Sequence, residues 1–198
     1  MDRTFRLLRG SVTTVSQPLR HFDDSGRARM VDVGEKAETR RVAVAEGVLI
    51  TSSDTLDRLA QGRSPKGDPL QVAQIAGIQA AKRTPDLIPL CHPLPLDAVD
   101  LVVKADAGVP GIRARATIRL SGRTGAEMEA LTAVSVALLT AYDMLKAFDR
   151  GMRLADVRLV HKRGGRSGSW DEDVPTAPRS GPDTPRDEES STDRKAKA

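Results

Sequence analysis

Aromatic residues are scarce: three Phe, one Tyr and one Trp make up 3% of the 198 residues. A core without them has to be aliphatic. An RNA-binding sheet would need stacking aromatics, and Tyr142, Phe148 and Trp170 do not supply that platform. Cysteine is limited to Cys91. That excludes an intrachain disulfide and is consistent with a reducing cytoplasm, where the protein is expected to reside. No uninterrupted apolar run reaches the ~18 residues of a membrane span, so no membrane partner is expected. Residues 1–10 carry Arg3, Arg6 and Arg9 around Phe5, Leu7 and Leu8. They lack the apolar centre of a secretory signal. There is no HExxH, no CxxC and no clustered acidic loop, so no metal and no cofactor is expected.

What is present is a modest net charge of +4, with basic residues spread along the chain and acids among them. That distribution suits an anionic small molecule better than a nucleic acid. The length suits a single domain with tails: a flexible arm over residues 1–17, one domain over 18–170, and a Pro-, Ser- and charge-rich disordered tail over 171–198. A first strand runs from Thr39 to Thr51, with Arg40, Val42, Val44, Glu46, Val48 and Ile50 on one face and Arg41, Ala43 and Ala45 on the other. Ser53 is placed to cap a short helix that Gly62 ends. Asp68 caps a longer one that begins at Pro69, a favoured place for proline, and stops near Arg83. Two strands follow, Leu96–Asp106 and Ile112–Leu120, the second alternating cleanly with Ile112, Ala114, Ala116, Ile118 and Leu120 inward. A last strand covers about Leu154 to Lys162. The order strand, short helix, helix, strand, strand, helix, strand is α+β. It is the ferredoxin-like split βαβ arrangement, with an antiparallel sheet, two main helices on one face and an extra short helix.

The most informative segment runs from Thr124 to Phe148 and reads as one helix. Thr124 and Glu127 stand at capping-box spacing. The helix is apolar nearly all round, which marks it as buried, and one sheet cannot cover it; a second copy of the chain is the simplest cover. Four ionisable groups interrupt it: Glu127 and Glu129 at one end, Asp143 and Lys146 at the other. Glu127 can be a capping residue, and Glu129 can simply suit the helix dipole. Asp143 and Lys146, three apart, can be an ion pair; among Leu139, Tyr142, Met144 and Leu145 they read equally as a buried acid–lysine site. Glu129 and Asp143 are fourteen residues apart, ~21 Å along a helix. They either have unrelated jobs or belong to sites completed by another subunit.

Two other segments carry chemistry. Asp86–Leu96 holds three prolines in eleven residues with nearly everything else apolar, a stiff loop that presents Cys91 and His92. Cys91 reads as packing rather than as a nucleophile, since no activating motif surrounds it. Lys66-Gly67 before a helix start offers a cation beside free N–H groups, a workable phosphate site.

Six blocks, in order, resemble the cyclic pyranopterin monophosphate synthases of molybdenum cofactor biosynthesis: residues 30–41, 66–68, 75–84, 87–94, 124–133 and 142–147. The resemblance extends over about residues 18–170 and implies a ferredoxin-like subunit in a homohexamer, a trimer of dimers with active sites at interfaces. It implies a nucleotide triphosphate substrate, the 3′,8-cyclo-7,8-dihydro form of GTP, converted to cyclic pyranopterin monophosphate with release of pyrophosphate. It implies Asp143 as catalytic aspartate, Lys146 as its partner and Lys66 as a further catalytic group. Arg41, His92, Glu127, Glu129 and Lys162 match other site positions, and Leu90–His92 and Met128–Glu129 match substrate-binding stretches. The loop 162–168 departs from the pattern, with Arg163 and Arg166 where Ser and Lys are expected. The alternative is a non-catalytic ferredoxin-like oligomer that binds an anionic nucleotide.

Overall fold

The computed structural model describes residues 21–23, 25–62, 67–106 and 108–172. In chain order the elements are β1 (Thr39–Ile50), α1 (Ser53–Ala60), α2 (Pro69–Lys82), α3 (Thr84–Leu87), β2 (Leu96–Asp106), β3 (Gly111–Gly122), α4 (Glu127–Leu145), β4 (Arg153–Arg163) and β5 (Ser169–Asp171). The sheet order is β2-β3-β1-β4-β5, and every pairing is antiparallel. β3 lies between β1 and β2, and β1 lies between β3 and β4. Two split βαβ units therefore interlock, as in the ferredoxin-like fold.

α2 and α4 cover one face. Beneath them lie Ala43, Ala45 and Leu49 of β1, Leu101 and Val103 of β2, and the whole alternating set Ile112, Ala114, Ala116, Ile118 and Leu120 of β3. The small residues of β1 face the helices, so α4 sits close to the sheet. A Cβ at Gly47 would stand 2.9 Å from Leu138 and Val134 of α4. The helices press equally close to each other. A Cβ at Gly77 of α2 would fall 2.3 Å from Leu101 and 2.7 Å from the Ala133 carbonyl oxygen of α4. The opposite face is mixed, with Val44 and Val48 beside a charged cluster. Glu46 is met there by Arg115, by Arg113 at 3.6 Å and by Arg158 at 3.7 Å.

The local signals act as expected at α2, where Asp68 accepts from Leu70 and Gln71 N–H and Pro69 opens the helix. Elsewhere the boundaries move. Ser52, not Ser53, caps α1, accepting from Thr55 N–H. α4 begins at Glu127 with Ala126 as cap and no side-chain cap bond. Thr124 lies two residues before that cap, so Glu127 is the first helical residue rather than the third. Its carboxylate lies over Gly125 and pairs with Lys162 at 3.2 Å instead of closing a capping box. Thr84–Leu87 forms a single turn that tolerates Pro85 because a first helical turn has no N–H partner to lose. β5 carries the hydrogen-bonded chain through Asp171, where the sequence suggested a tail, and Glu172 N–H still donates to Val160 O. α4 has the length and mean hydropathy, 1.3, of a membrane-crossing helix, yet it packs against both the sheet and α2.

Asp149 closes the fold behind α4. Its carboxylate accepts from Ser52 N–H at 3.1 Å, Thr51 Oγ1 at 3.0 Å and Gly151 N–H at 2.8 Å, and these bonds hold its pKa below the usual carboxylate value. A depressed folded-state pKa contributes stability above the unfolded value that is lost as pH falls through the folded one. Asp149→Asn should therefore lower the melting temperature at neutral pH and lower it progressively less under acid, read by thermal unfolding across pH. Gly77→Ala adds helix propensity but overpacks the α2–α4 contact. It should cost about 1–3 kcal/mol, seen as a lower urea midpoint at unchanged m-value.

Candidate active site

The stiff loop after α3 forms one wall of a cleft. Leu90 lies at φ 63°, in the left-handed region. For a residue with a Cβ that costs roughly 1–2 kcal/mol. The turn is held by Cys91 N–H donating to Ile88 O at 3.2 Å, and by prolines 89, 93 and 95. It points Cys91 and His92 in different directions. His92 Nε2 lies 2.8 Å from Val31 O. A carbonyl only accepts, so Nε2 is the donor in this bond. The same bond pins the segment before β1. That segment is pinned again by Arg123, whose Nη1 donates to Gly34 O at 3.1 Å.

The cleft so formed holds about 540 Å³. Val31, Val33, Pro89, Leu90, Leu94 and Met128 make it largely apolar, and His92, Cys91 and Glu127 supply its polar points. Lys36, Thr124 and Gly125 also line a second cleft of about 800 Å³, so the two share a wall. The second is cationic: Lys36, Arg41, Arg123 and Arg166 line it, with Glu35 the acid among its lining residues. A flat heterocycle suits the first cleft and a polyphosphate the second.

Arg41 is built into the wall of the second cleft. Its Nε donates to Gly122 O at 2.8 Å and its Nη2 to Arg123 O at 3.0 Å, so it clasps the end of β3. The loop after β4 crosses directly over its guanidinium. A Cβ on Gly165 would lie 2.3 Å from Arg41 Nη1, and one on Gly164 would lie 2.3 Å from Arg40 O. Both glycines also have left-handed φ, 105° and 73°, so no other residue passes there without strain.

Leu90, Cys91, His92, Glu127 and Met128 thus converge with Arg41 and Lys162 at the start of α4. Lys162 reaches it through its ion pair with Glu127. Glu129 stands just behind, 1% exposed, with Cys91 Sγ 3.7 Å from its Oε1 and with Oε2 buried and unpartnered. Burial first, and then the charge of Glu127, pushes its carboxyl above the usual range. Burial, followed by the Glu129 charge, pushes the Cys91 thiol to about 11, so it is un-ionised at neutral pH and no nucleophile.

Asp143 and Lys146 do not join this group. They lie at the other end of α4, paired at 2.7 Å, and their side chains are 57% and 52% exposed. The expectation of a buried pair fails within one chain, because the apolar neighbours Met144 and Leu145 face the core while these two face outward. The pair leaves Lys146 with its proton held more tightly, through the hydrogen bond to Asp143 and then its charge. Lys66 lies outside the described residues. Its neighbours Gly67 and Asp68 line a separate hollow of about 360 Å³ beside α1. Sequence reasoning did not single out Arg123 as a site residue. Its position between Gly122 and Thr124-Gly125, just before a helix start, was the available signal.

The MoaC family profile matches residues 30–165. A protein of Novosphingobium aromaticivorans named cyclic pyranopterin monophosphate synthase is 62% identical over 154 residues, 77% of this chain and 96% of that one. Proteins of the same name from Cereibacter sphaeroides and Roseiflexus castenholzii are 57% and 59% identical, over 77% and 76% of this chain and 96% and 95% of theirs. With residues 30–165 matched and relatives aligned over nearly their whole length, the chain belongs to the MoaC family.

Proposed function

We propose that this protein is a cyclic pyranopterin monophosphate synthase. It converts (8S)-3′,8-cyclo-7,8-dihydroguanosine 5′-triphosphate to cyclic pyranopterin monophosphate and pyrophosphate, an early step of molybdenum cofactor biosynthesis. The observation that carries this is the convergence of three distant sequence blocks, 30–41, 87–94 and 124–133, on an apolar cleft that opens into a cationic one. The heterocycle occupies the apolar part beside His92, Cys91 and Met128. The triphosphate extends along Lys36, Arg41, Arg123 and Arg166, which stabilise the departing pyrophosphate.

The rearrangement breaks ring C–N bonds, closes the pyran and lets a 2′-oxygen displace pyrophosphate at the α-phosphate. Its proton transfers need acids and bases at one place, each worth ~10²–10⁴-fold. Asp143 and Lys146 serve as the acid–base pair, with Lys146 held as a local cation by Asp143. These groups lie ~21 Å along α4 from Glu129 and complete the cleft of another subunit. Ile75 of α2 and Leu139 of α4, 59% and 57% exposed, leave apolar surface for that neighbour to cover, in a homohexamer built as a trimer of dimers. Lys66 is assigned as a further catalytic cation for the departing pyrophosphate. Work takes place in the cytoplasm, on a small-molecule substrate, without nucleic acid or membrane.

Turnover of the cyclic dihydro-GTP followed as pyrophosphate release tests the assignment; binding without release would favour a non-catalytic nucleotide-binding oligomer. Asp143→Asn and Lys146→Met should each lose at least about 10²-fold in kcat with the fold intact. The shared site has its own test. Asp143→Asn and His92→Ala subunits, each inactive alone, should regain activity when unfolded, mixed and refolded together, since some clefts then receive two intact halves. No regain in a mixed oligomer would place each site within one chain.

A further inference from the structure

The Glu129 carboxyl sets a problem that the cleft description leaves open. It is a nearly fully buried acid at the first turn of α4, and its Oε2 is among the buried side-chain atoms with no hydrogen-bond partner. A buried carboxyl oxygen left unmet is costly and calls for a use. Glu129 is not itself a lining residue of the cleft, whereas Cys91 and Met128 are. Cys91 stands between cleft and acid, its thiol donating to Oε1 at 3.7 Å. The thiol in turn is fixed by a stiff turn: Leu90 in the left-handed region before it, His92 tied to Val31 O after it.

We propose that Cys91 is a positioning residue for Glu129: its thiol grips Oε1 and fixes the carboxyl directly behind the wall that Cys91 and Met128 present to the bound heterocycle. The substrate class rests on the function proposed above. The thiol does not react. Its large, weakly solvated sulfur and single proton let it donate to a buried acid without bringing a second strong acceptor into an apolar wall. Other groups near Glu129 set its charge but not its direction. Glu127, two residues before it, raises its proton affinity and is itself held by Lys162, the backbone N–H of Glu129 itself favours the anion, and His92 is engaged with the backbone of Val31.

The test uses the full chain without substrate, so it does not depend on the substrate's identity. The carboxyl band of Glu129 is assigned in difference infrared spectra by its loss in Glu129→Gln, then titrated. A thiol donating to a carboxylate favours the anion, so removing it should raise the midpoint. Cys91→Ala should shift the midpoint upward, Cys91→Val should do the same while keeping the volume, and Cys91→Ser should restore it toward wild type. In turnover the first two should lose about five- to tenfold in kcat/KM, with the acid limb of the profile moved to higher pH, and the serine variant should recover both. An unmoved carboxyl midpoint in folded Ala and Val variants would overturn the proposal, as would a serine variant no better than alanine. Absence of pyrophosphate release in the wild type would instead sink the proposed function and leave the titration result standing.

Discussion

The close approach of α2 and α4 is the constraint on which the site depends. It is made by absence of side chain. Gly77 faces the Ala133 carbonyl, and Ala73, Ala81, Ala130 and Ala137 fill the rest of the buried contact. α2 delivers the chain, through α3, to the loop that carries Leu90, Cys91 and His92. α4 begins with Glu127, Met128 and Glu129. The gap between the helices therefore fixes the spacing between the two walls of the cleft. A contact as long and weak as Cys91 to Glu129, 3.7 Å, survives only if that spacing is held to a fraction of an ångström.

Charge is organised differently on the two faces of the sheet. On the open face Glu46 gathers arginines from β3 and β4, and Arg113 is shared with Asp106 at 2.5 Å, so cations and anions largely neutralise each other. Around the second cleft the balance is deliberately uneven. Arg41 donates to carbonyls, and Arg123 donates to Gly34 O while its partner Glu38 stands at 3.5 Å with both side chains substantially exposed. Carbonyl oxygens orient a guanidinium without cancelling its charge. Positive potential is thereby kept for an anion to use.

Much of the fold was legible because period and punctuation agreed. The alternation of residues 112–120 named every inward residue of β3, and Asp68-Pro69 marked the start of α2 by two independent signals. The start of α4 misled because Thr-x-x-Glu spacing looks the same whether the Glu closes a capping box or leads the helix and pairs elsewhere; only Lys162, thirty-five residues on, decides. β5, three residues reading Ser-Trp-Asp, has no periodicity to detect. The six motif blocks named residues that the structure gathers at the two ends of α4, but not how they divide. Composition around Asp143 and Lys146 could not tell burial by the chain itself from burial by a neighbour, and the structure leaves both outward. The work of Arg41 was hidden for another reason. Its partners are backbone carbonyls, which every residue carries and no sequence advertises.

The glycines that pass over Arg41 have a consequence for how this cleft can vary. Neither position 164 nor 165 can accept a side chain, so the loop is rigid in sequence where it is closest to the guanidinium. Its freedom lies on either side, at Arg163 and Arg166, the two positions where this chain departs from the expected Ser and Lys. Arg166 and Ser167 belong to the lining of the cationic cleft. The loop thus works like a keyed mount: a fixed pair of glycines sets its seat, and a changeable residue beyond the seat sets the charge of the cleft without disturbing the fold.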